Sequence, residues 1–204
     1  RLDAPRAHLG LNLRSLELGG RPLGELIASL DLSDGLRGHL ELGAPSGDGS
    51  ALTMSLSAPS ADFHPHGETT GRKQARVRIA ARNLDASSIA TYALDDSTGL
   101  TASLSADLRM PARQLLNGIQ WRDISGYLEL LELTVDRDRV RVRLEAPSRA
   151  QLSLGQASLQ GFDLPVEMFR RDINTFQSAG SIHIDGQLIG DSAGLTVRVD
   201  NLKL

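Results

Sequence analysis

A chain of 204 residues and 21.9 kDa can build one large or two small domains around a substantial core. Its formal charge of -3 and pI near 6.0 supply no basic field for a nucleic-acid backbone, so nucleic acid is not expected as a partner; zero cysteines exclude disulfides, thiolate metal sites and thiol catalysis together. Hydrophobic residues at 40% and charged ones at 23% indicate a folded chain, and with only 3% aromatics Leu, Val and Ile must supply nearly all the apolar surface.

Period-two alternation recurs along the chain and predicts strands. Leu9, Leu11 and Leu13 alternate with polar neighbours, as do Leu26, Ala28, Leu30 and Leu32. Leu40 and Leu42 lead through the turn-like stretch Ala44 to Ser50 into Leu52, Met54 and Leu56, the pattern of a hairpin. Val77, Ile79 and Ala81 follow, then Leu100, Ala102, Leu104, Ala106 and Leu108. Between Leu128-Glu129-Leu130 and Leu131-Glu132-Leu133 the apolar parity flips, which predicts a β-bulge or bend, since a one-residue slip sends every side chain to the other face. Val140, Val142 and Leu144, then Ile182 and Ile184, then Leu195, Val197 and Val199 complete the series. The opposite parity is polar, most plainly at Arg139, Arg141 and Arg143, so each sheet should have one wet face.

A short module repeats at Gly38-His39-Leu40-Glu41-Leu42, Gly126-Tyr127-Leu128-Glu129-Leu130 and Gly180-Ser181-Ile182-His183-Ile184, with glycine on the inward parity. Arg82-Asn83-Leu84-Asp85 is echoed by Asp200-Asn201-Leu202-Lys203. The spacing is irregular, which predicts a strand array forming a single unit over 1–204 rather than a strict solenoid. Three stretches read as other than extended: a short helix capped by Asp85 and running to Leu94, a helical turn or loop from Pro111 to Gly118, and an irregular connection from Pro165 to Thr175. Ala58 to Gln74, with two prolines and two glycines, reads as a loop. No apolar run reaches the roughly 20 residues of a membrane-spanning helix, and no charged and then apolar leader opens the chain, so Arg1 is expected to be a mature terminus or an artificial boundary.

The residues give little to an enzyme: no phosphate-cradling glycine loop, nucleophile elbow or zinc-binding helix is present, and no catalytic residue or cofactor is expected. Asp62, His64, His66 and Glu68 have the types to bind zinc or nickel, but Pro65 and Gly67 break the strand such a site would need, so solvated side chains are the expectation and no metal is assigned. Arg137, Arg139, Arg141 and Arg143 have the chemistry to grip phosphate; the favoured reading is an outer face balanced by Asp136, Asp138 and Glu145. The aliphatic rows fit two arrangements, a closed sandwich core or two sheet halves lining a trough suited to an acyl chain, whose burial is worth about 0.8 kcal/mol per methylene.

The order of elements from about residue 77 resembles the C-terminal part of the TamB family, the inner-membrane subunit of the translocation and assembly module, and more loosely AsmA-like proteins. The resemblance rests on Ala81-Arg82-Asn83-Leu84-Asp85, the strand Gly99 to Leu108, Ser125 to Leu130, Leu133-Thr134-Val135, Val140 to Ala146 with Pro147, the pair Gln151 to Leu154 and Gln156 to Leu159, Gly180 to Gly186, and Leu195 to Leu204. Residues 1–76 share only the style. The resemblance implies an all-β fold, an elongated, folded, antiparallel-rich sheet forming a hydrophobic trough (β-taco). It also implies a periplasmic bridge in a Gram-negative envelope, anchored in the inner membrane, that carries phospholipid and has an outer-membrane barrel partner. Inward positions would be Leu128, Leu130, Leu133, Val135, Val140, Val142, Leu144, Leu152, Leu154, Ile182, Ile184, Val197 and Val199, with Leu40, Leu42, Leu52, Met54, Leu56, Val77, Ile79, Leu104 and Leu195 continuing the lining by alternation. About a dozen strands at ~4.8 Å extend on the order of 60 Å, too little to cross a periplasm, so a fragment of a longer protein is expected. The alternatives are a scaffold for outer-membrane protein assembly by β-augmentation and a closed β-sandwich binding module.

Overall fold

In a computed structural model the described residues are 6–18, 21–33, 35–43, 50–59, 74–85, 98–190 and 192–202. They form β1 (His8–Leu18), β2 (Arg21–Asp31), β3 (Gly35–Gly43), β4 (Ser50–Pro59), β5 (Gln74–Asp85) and β6 (Thr98–Pro111). After a single helical turn α1 (Gln114–Asn117) and a 3-10 turn at Trp121–Asp123 come β7 (Ser125–Arg137), β8 (Val140–Arg143), β9 (Ser148–Ser153), β10 (Gln156–Arg170), β11 (Thr175–Ile189) and β12 (Ser192–Asp200). The protein is all-β, and its twelve described strands belong to one antiparallel sheet whose order follows the chain, rather than to two packed sheets. Local pairing of consecutive strands is what alternating aliphatics joined by short turns favour.

The one departure from simple succession is at the eighth place. β8 pairs with the end of β7, through Thr134 to Arg137, while β9 pairs with its start, through Ser125 to Leu130. β10 receives both, so β8 and β9 act as one strand broken at 144–147. Pro147 accounts for part of the break, because it has no amide to give to a ladder.

The parity flip in β7 is a bulge: Ser103 faces Glu132 and Leu104 faces Leu130, leaving Leu131 extra. Two more bulges have the same signature of inward residues three apart, Ala81 and Leu84 in β5, and Leu159 and Phe162 in β10. Asn83 and its echo Asn201 are both left-handed, with φ of 47° and 52°, a conformation that Asn tolerates better than most residues.

Three expectations change. Residues Pro165 to Arg170 are not irregular but complete β10, and only 171–174 turn. Proline fits there because the Asp163 carbonyl accepts from Glu145 across the break, so the backbone of Pro165 faces that same side, beyond the three-residue β8 ladder. Leu154 is not an inward strand residue: it and Gly155, with φ of 41° and 85°, form the two-residue turn between Ser153 and Gln156 that right-handed strand twist favours. Ala58 and Pro59 still belong to β4 and Gln74 opens β5. The turn at 114–117 is as expected; the stretch 86–94 expected to be helical lies outside the described residues.

The glycines of the repeated module are not equivalent. Gly126 and Gly180 have φ of 131° and 140°, and a Cβ at Gly126 would run into the carbonyl oxygen of Asp107, whereas at Gly38 the nearest atom would be Leu56 Cβ at 3.5 Å. Gly126→Ala is therefore expected to lower stability by roughly 2 to 3 kcal/mol. Gly38→Ala should change it by less than about 1 kcal/mol, both read from urea unfolding.

Candidate functional site

Register brings the apolar parities of successive strands into line. One row runs Leu11, Ala28, Leu40, Met54, Ile79, Ala106, Leu128, Ala150, Leu159, Gly186, Leu195, each residue directly opposite the next across β1 to β7, β9 and β10 to β12. A second runs Leu9, Leu30, Gly38, Leu56, Val77, Leu108, Gly126, Leu152, Ala157, Leu188, Ala193 over the same strands. A third, Leu13, Leu26, Leu42, Leu52, Ala81, Leu104, Leu130, ends at Ser148. Past the bulges the same face continues through Leu100, Val135, Val142 and Val166, through Leu133 opposite Ala102, through Val140 opposite Met168, and through the pairs Ile182–Val199 and Ile184–Val197. Leu144 lies just past β8 with its amide on the Leu133 carbonyl. Of the residues expected to line the face, Leu154 alone is removed from it.

This face is incompletely covered. Among the described residues no large side chain is fully buried; Met54 is 37% exposed, Leu128 43%, Val197 53% and Leu195 69%. One buried cluster lies at one end of β3 to β6, where Ala58, Ala75, Met110 and Ala112 pack with Leu36, Leu115 and Ile124, and Leu164, Val166 and Ala179 of β10 and β11 are buried as well. The segment between β6 and β7 thus covers one margin of the apolar face; Gln114 holds it in shape by bonding Asp123 with its amide and accepting from the Gln120 amide at 3.3 Å.

The bulges of β5, β7 and β10 and the 144–147 break share one level, whereas a further bulge at Ala179 of β11 lies nearer the other end of β10. The β5 bulge lies against Ser103, whose hydroxyl accepts from the Asn83 amide at 3.0 Å and donates to Glu132 at 3.1 Å. Leu131 sits beside that same position, the 144–147 break beside Leu131, and the β10 bulge beside the break. Bulges bend strands and add twist, so aligned bulges on neighbouring strands crease a sheet.

The other face is polar and largely self-paired. Asp107 accepts from Arg76, whose guanidinium holds that carboxyl below its ordinary range against the opposing effect of burial. Arg149 donates to Glu129 directly opposite at 3.0 Å and lies over the Tyr127 ring. Arg141 pairs with Asp136 at 2.6 Å and Arg143 with Glu167 at 2.7 Å, which settles that half of the arginine row as surface balance. Exposed pairs of this kind contribute about 0 to 1 kcal/mol each; their main effect is to keep this parity outside. Asp62, His64, His66 and Glu68 lie outside the described residues. Among those described, no cluster of His, Asp and Glu is arranged to hold a metal, and no helix is long and apolar enough to cross a membrane.

Sequence reading missed much of the lining contributed by β10, namely Phe162, Leu164, Val166 and Met168, because Pro165 suggested a connection there. The i, i+3 spacing of Leu159 and Phe162, repeated from Leu130 and Leu133, is the signal that would have restored it. Compared with known families, curated proteins and solved structures, the chain shows no match to a family model, to a curated protein or to a solved structure.

On the polar side His183 is held between two carboxylates, Nδ1 on Asp163 opposite and Nε2 on Asp185 at 2.8 Å, with Arg198 opposite it on β12. Asp185 also accepts from the Gly161 amide of the β10 bulge at 3.1 Å. The bonds to Asp163 and Asp185 raise the imidazole above its ordinary 6.5 against a small desolvation effect. A raised folded value means that the cluster's contribution is full below pH 6.5 and is lost as pH climbs through the elevated value. Urea unfolding across pH should show that loss in the wild type and not in His183→Gln, and the His183 ring should titrate above 6.5 by NMR.

Proposed function

We propose that this chain is a non-enzymatic segment of a longer envelope protein that shields phospholipid acyl chains on the apolar face of its sheet while headgroups stay in water. The observation that supports it best is the alignment of apolar rows, built from aliphatic and small residues, across eleven strands, with the large members of those rows half-buried or exposed. An ordinary core would bury such residues, and contiguous exposed apolar surface on this scale marks a binding site. The aligned bulges add a means of folding the sheet toward that face, which gives a trough. The resemblance to the TamB family supports placing it in a periplasmic bridge between inner and outer membrane, with phospholipid as cargo and an outer-membrane barrel as partner.

A photo-crosslinking residue at Ile79, flanked in its row by Met54 and Ala106, should capture phospholipid in cells. Met54→Asp with Leu128→Asp places charge on both sides of it and should reduce capture at least about tenfold, since an unpaired carboxylate beside a hydrocarbon chain costs several kcal/mol. Capture undiminished in a variant with unchanged circular dichroism would show that hydrocarbon does not travel along these rows.

One observation favours a second use, a scaffold for outer-membrane protein assembly. All nine residues of β12 are exposed and, among the described residues, its only strand neighbour is β11, so it offers an edge for β-augmentation. Under that reading, peptides of alternating pattern should slow amide exchange in 192–200 without any lipid present; exchange unchanged at saturating peptide removes it.

A further inference from the structure

The end of the sheet where β7 turns into β8 differs from the rest of the molecule. A cavity of about 980 Å³ has Val135, Val140 and Val142 as its apolar wall and Arg137, Arg139, Arg171 and Asp138 around it. The valines belong to the apolar face: Val135 stands opposite Val142, Val142 opposite Val166, and Val140 opposite Met168. The arginines come from two hairpin tips held side by side, because the Phe169 amide donates to the Arg139 carbonyl at 2.7 Å. Arg139 sits in the turn between β7 and β8, and Arg171 follows β10 at the start of the turn into β11.

Charge separates these arginines from their neighbours. Arg141 and Arg143 are taken by Asp136 and Glu167 on the polar face, and Arg170 by Asp172. Among the described residues no carboxylate lies within ion-pair distance of Arg139 or Arg171. The cavity thus brings the Arg139 and Arg171 guanidinium groups beside one carboxylate, Asp138, at the border of an apolar wall. A ligand complementary to both parts is an amphiphile with an anionic head. Guanidinium matches phosphate oxygens in planar, bidentate fashion, and a head that also carries an ammonium would bring a like charge to Arg139 and Arg171, with Asp138 as its partner in the cavity lining.

We propose that this rim is a subsite for the phosphate head of an anionic phospholipid, with the proximal acyl carbons on Val135, Val140 and Val142. It rests on the acyl-shielding reading above and adds a headgroup preference to it. Arg139 and Arg171 supply the phosphate contacts, and Asp138 moderates them. The rim is open to solvent, so the preference falls as salt screens it.

The test is binding of the whole chain to micelles of short-chain phosphatidylglycerol or phosphatidylcholine, with glycerol 3-phosphate as the head lacking tails. The wild type should prefer phosphatidylglycerol by about tenfold at low salt, as one to two charge-assisted contacts give. Arg139→Gln with Arg171→Gln should abolish the preference and leave phosphatidylcholine binding unchanged; both positions are exposed turn residues. Asp138→Asn, which keeps a residue tolerant of the left-handed φ of 52°, should widen it. A preference that survives in the double variant, or that narrows in Asp138→Asn, overturns the subsite. Equal binding of both lipids by the wild type overturns it and leaves acyl shielding standing, whereas failure to bind either lipid overturns both. Glycerol 3-phosphate bound as tightly as phosphatidylglycerol would make this a site for free phosphate and overturn the lipid assignment.

Discussion

Register is the constraint on which the rest of this molecule depends. A strand has a side-chain period of two, so each pairing must agree with the next if one face is to stay apolar across the sheet. Here ten successive pairings agree, from Leu11 opposite Ala28 to Gly186 opposite Leu195. Where the chain carries inward residues three apart, a bulged residue absorbs the mismatch: Leu131 in β7, and one residue each between Ala81 and Leu84 and between Leu159 and Phe162. The bulges therefore correct parity as well as bend the strands.

The composition explains why the face stays accessible. Rows built from Leu, Val and Ile are interrupted by small residues, Ala28, Ala106, Ala150 and Gly186 in one, Gly38, Gly126, Ala157 and Ala193 in another. Large rings would fill the space in front of the sheet, and they are few; Phe169 and Phe176, opposite each other with centroids 5.3 Å apart, meet edge to face beside Arg141 on the polar side. Among the described residues the segment between β6 and β7 brings Leu115 and Ile124 over the face, and a buried cluster lies beneath it. Elsewhere the strands gain stability from their ladders and from cross-strand pairs rather than from a thick core.

The strand content, the wet and apolar faces and the hairpin from Leu40 to Leu56 were legible in the sequence because alternation is a local signal. So was the bulge at Leu131, since a doubled leucine between two alternating runs has one economical explanation. What was not legible needed information from outside the strand concerned. Pro165 reads locally as a breaker, and becomes acceptable only because the strand beside it stops at Arg143. Leu154 has the residue type of a lining position but is followed by glycine at a point where the chain reverses from β9 into β10 in two residues. The arginine row read as a single surface feature; the structure divides it between an outer half on the polar face, Arg141 and Arg143, and a half lining the rim cavity, Arg137 and Arg139, joined by Arg171 from the next hairpin tip.

The aliphatic character of the rows also bears on how a hydrocarbon chain would move. Affinity for a saturated chain grows by about 0.8 kcal/mol per methylene buried and does not depend on orientation. A row of aliphatic and small side chains spaced ~4.8 Å apart offers successive apolar contacts without a directional anchor, so on the proposed reading a bound chain is held by area alone at each strand. Aromatic anchors, with preferred stacking geometries worth about 0.5 to 1.5 kcal/mol each, would introduce such direction. On the proposed reading, the scarcity of rings is therefore a requirement of passage, and the rim arginines are the one place where a headgroup would be held while its tails enter the rows.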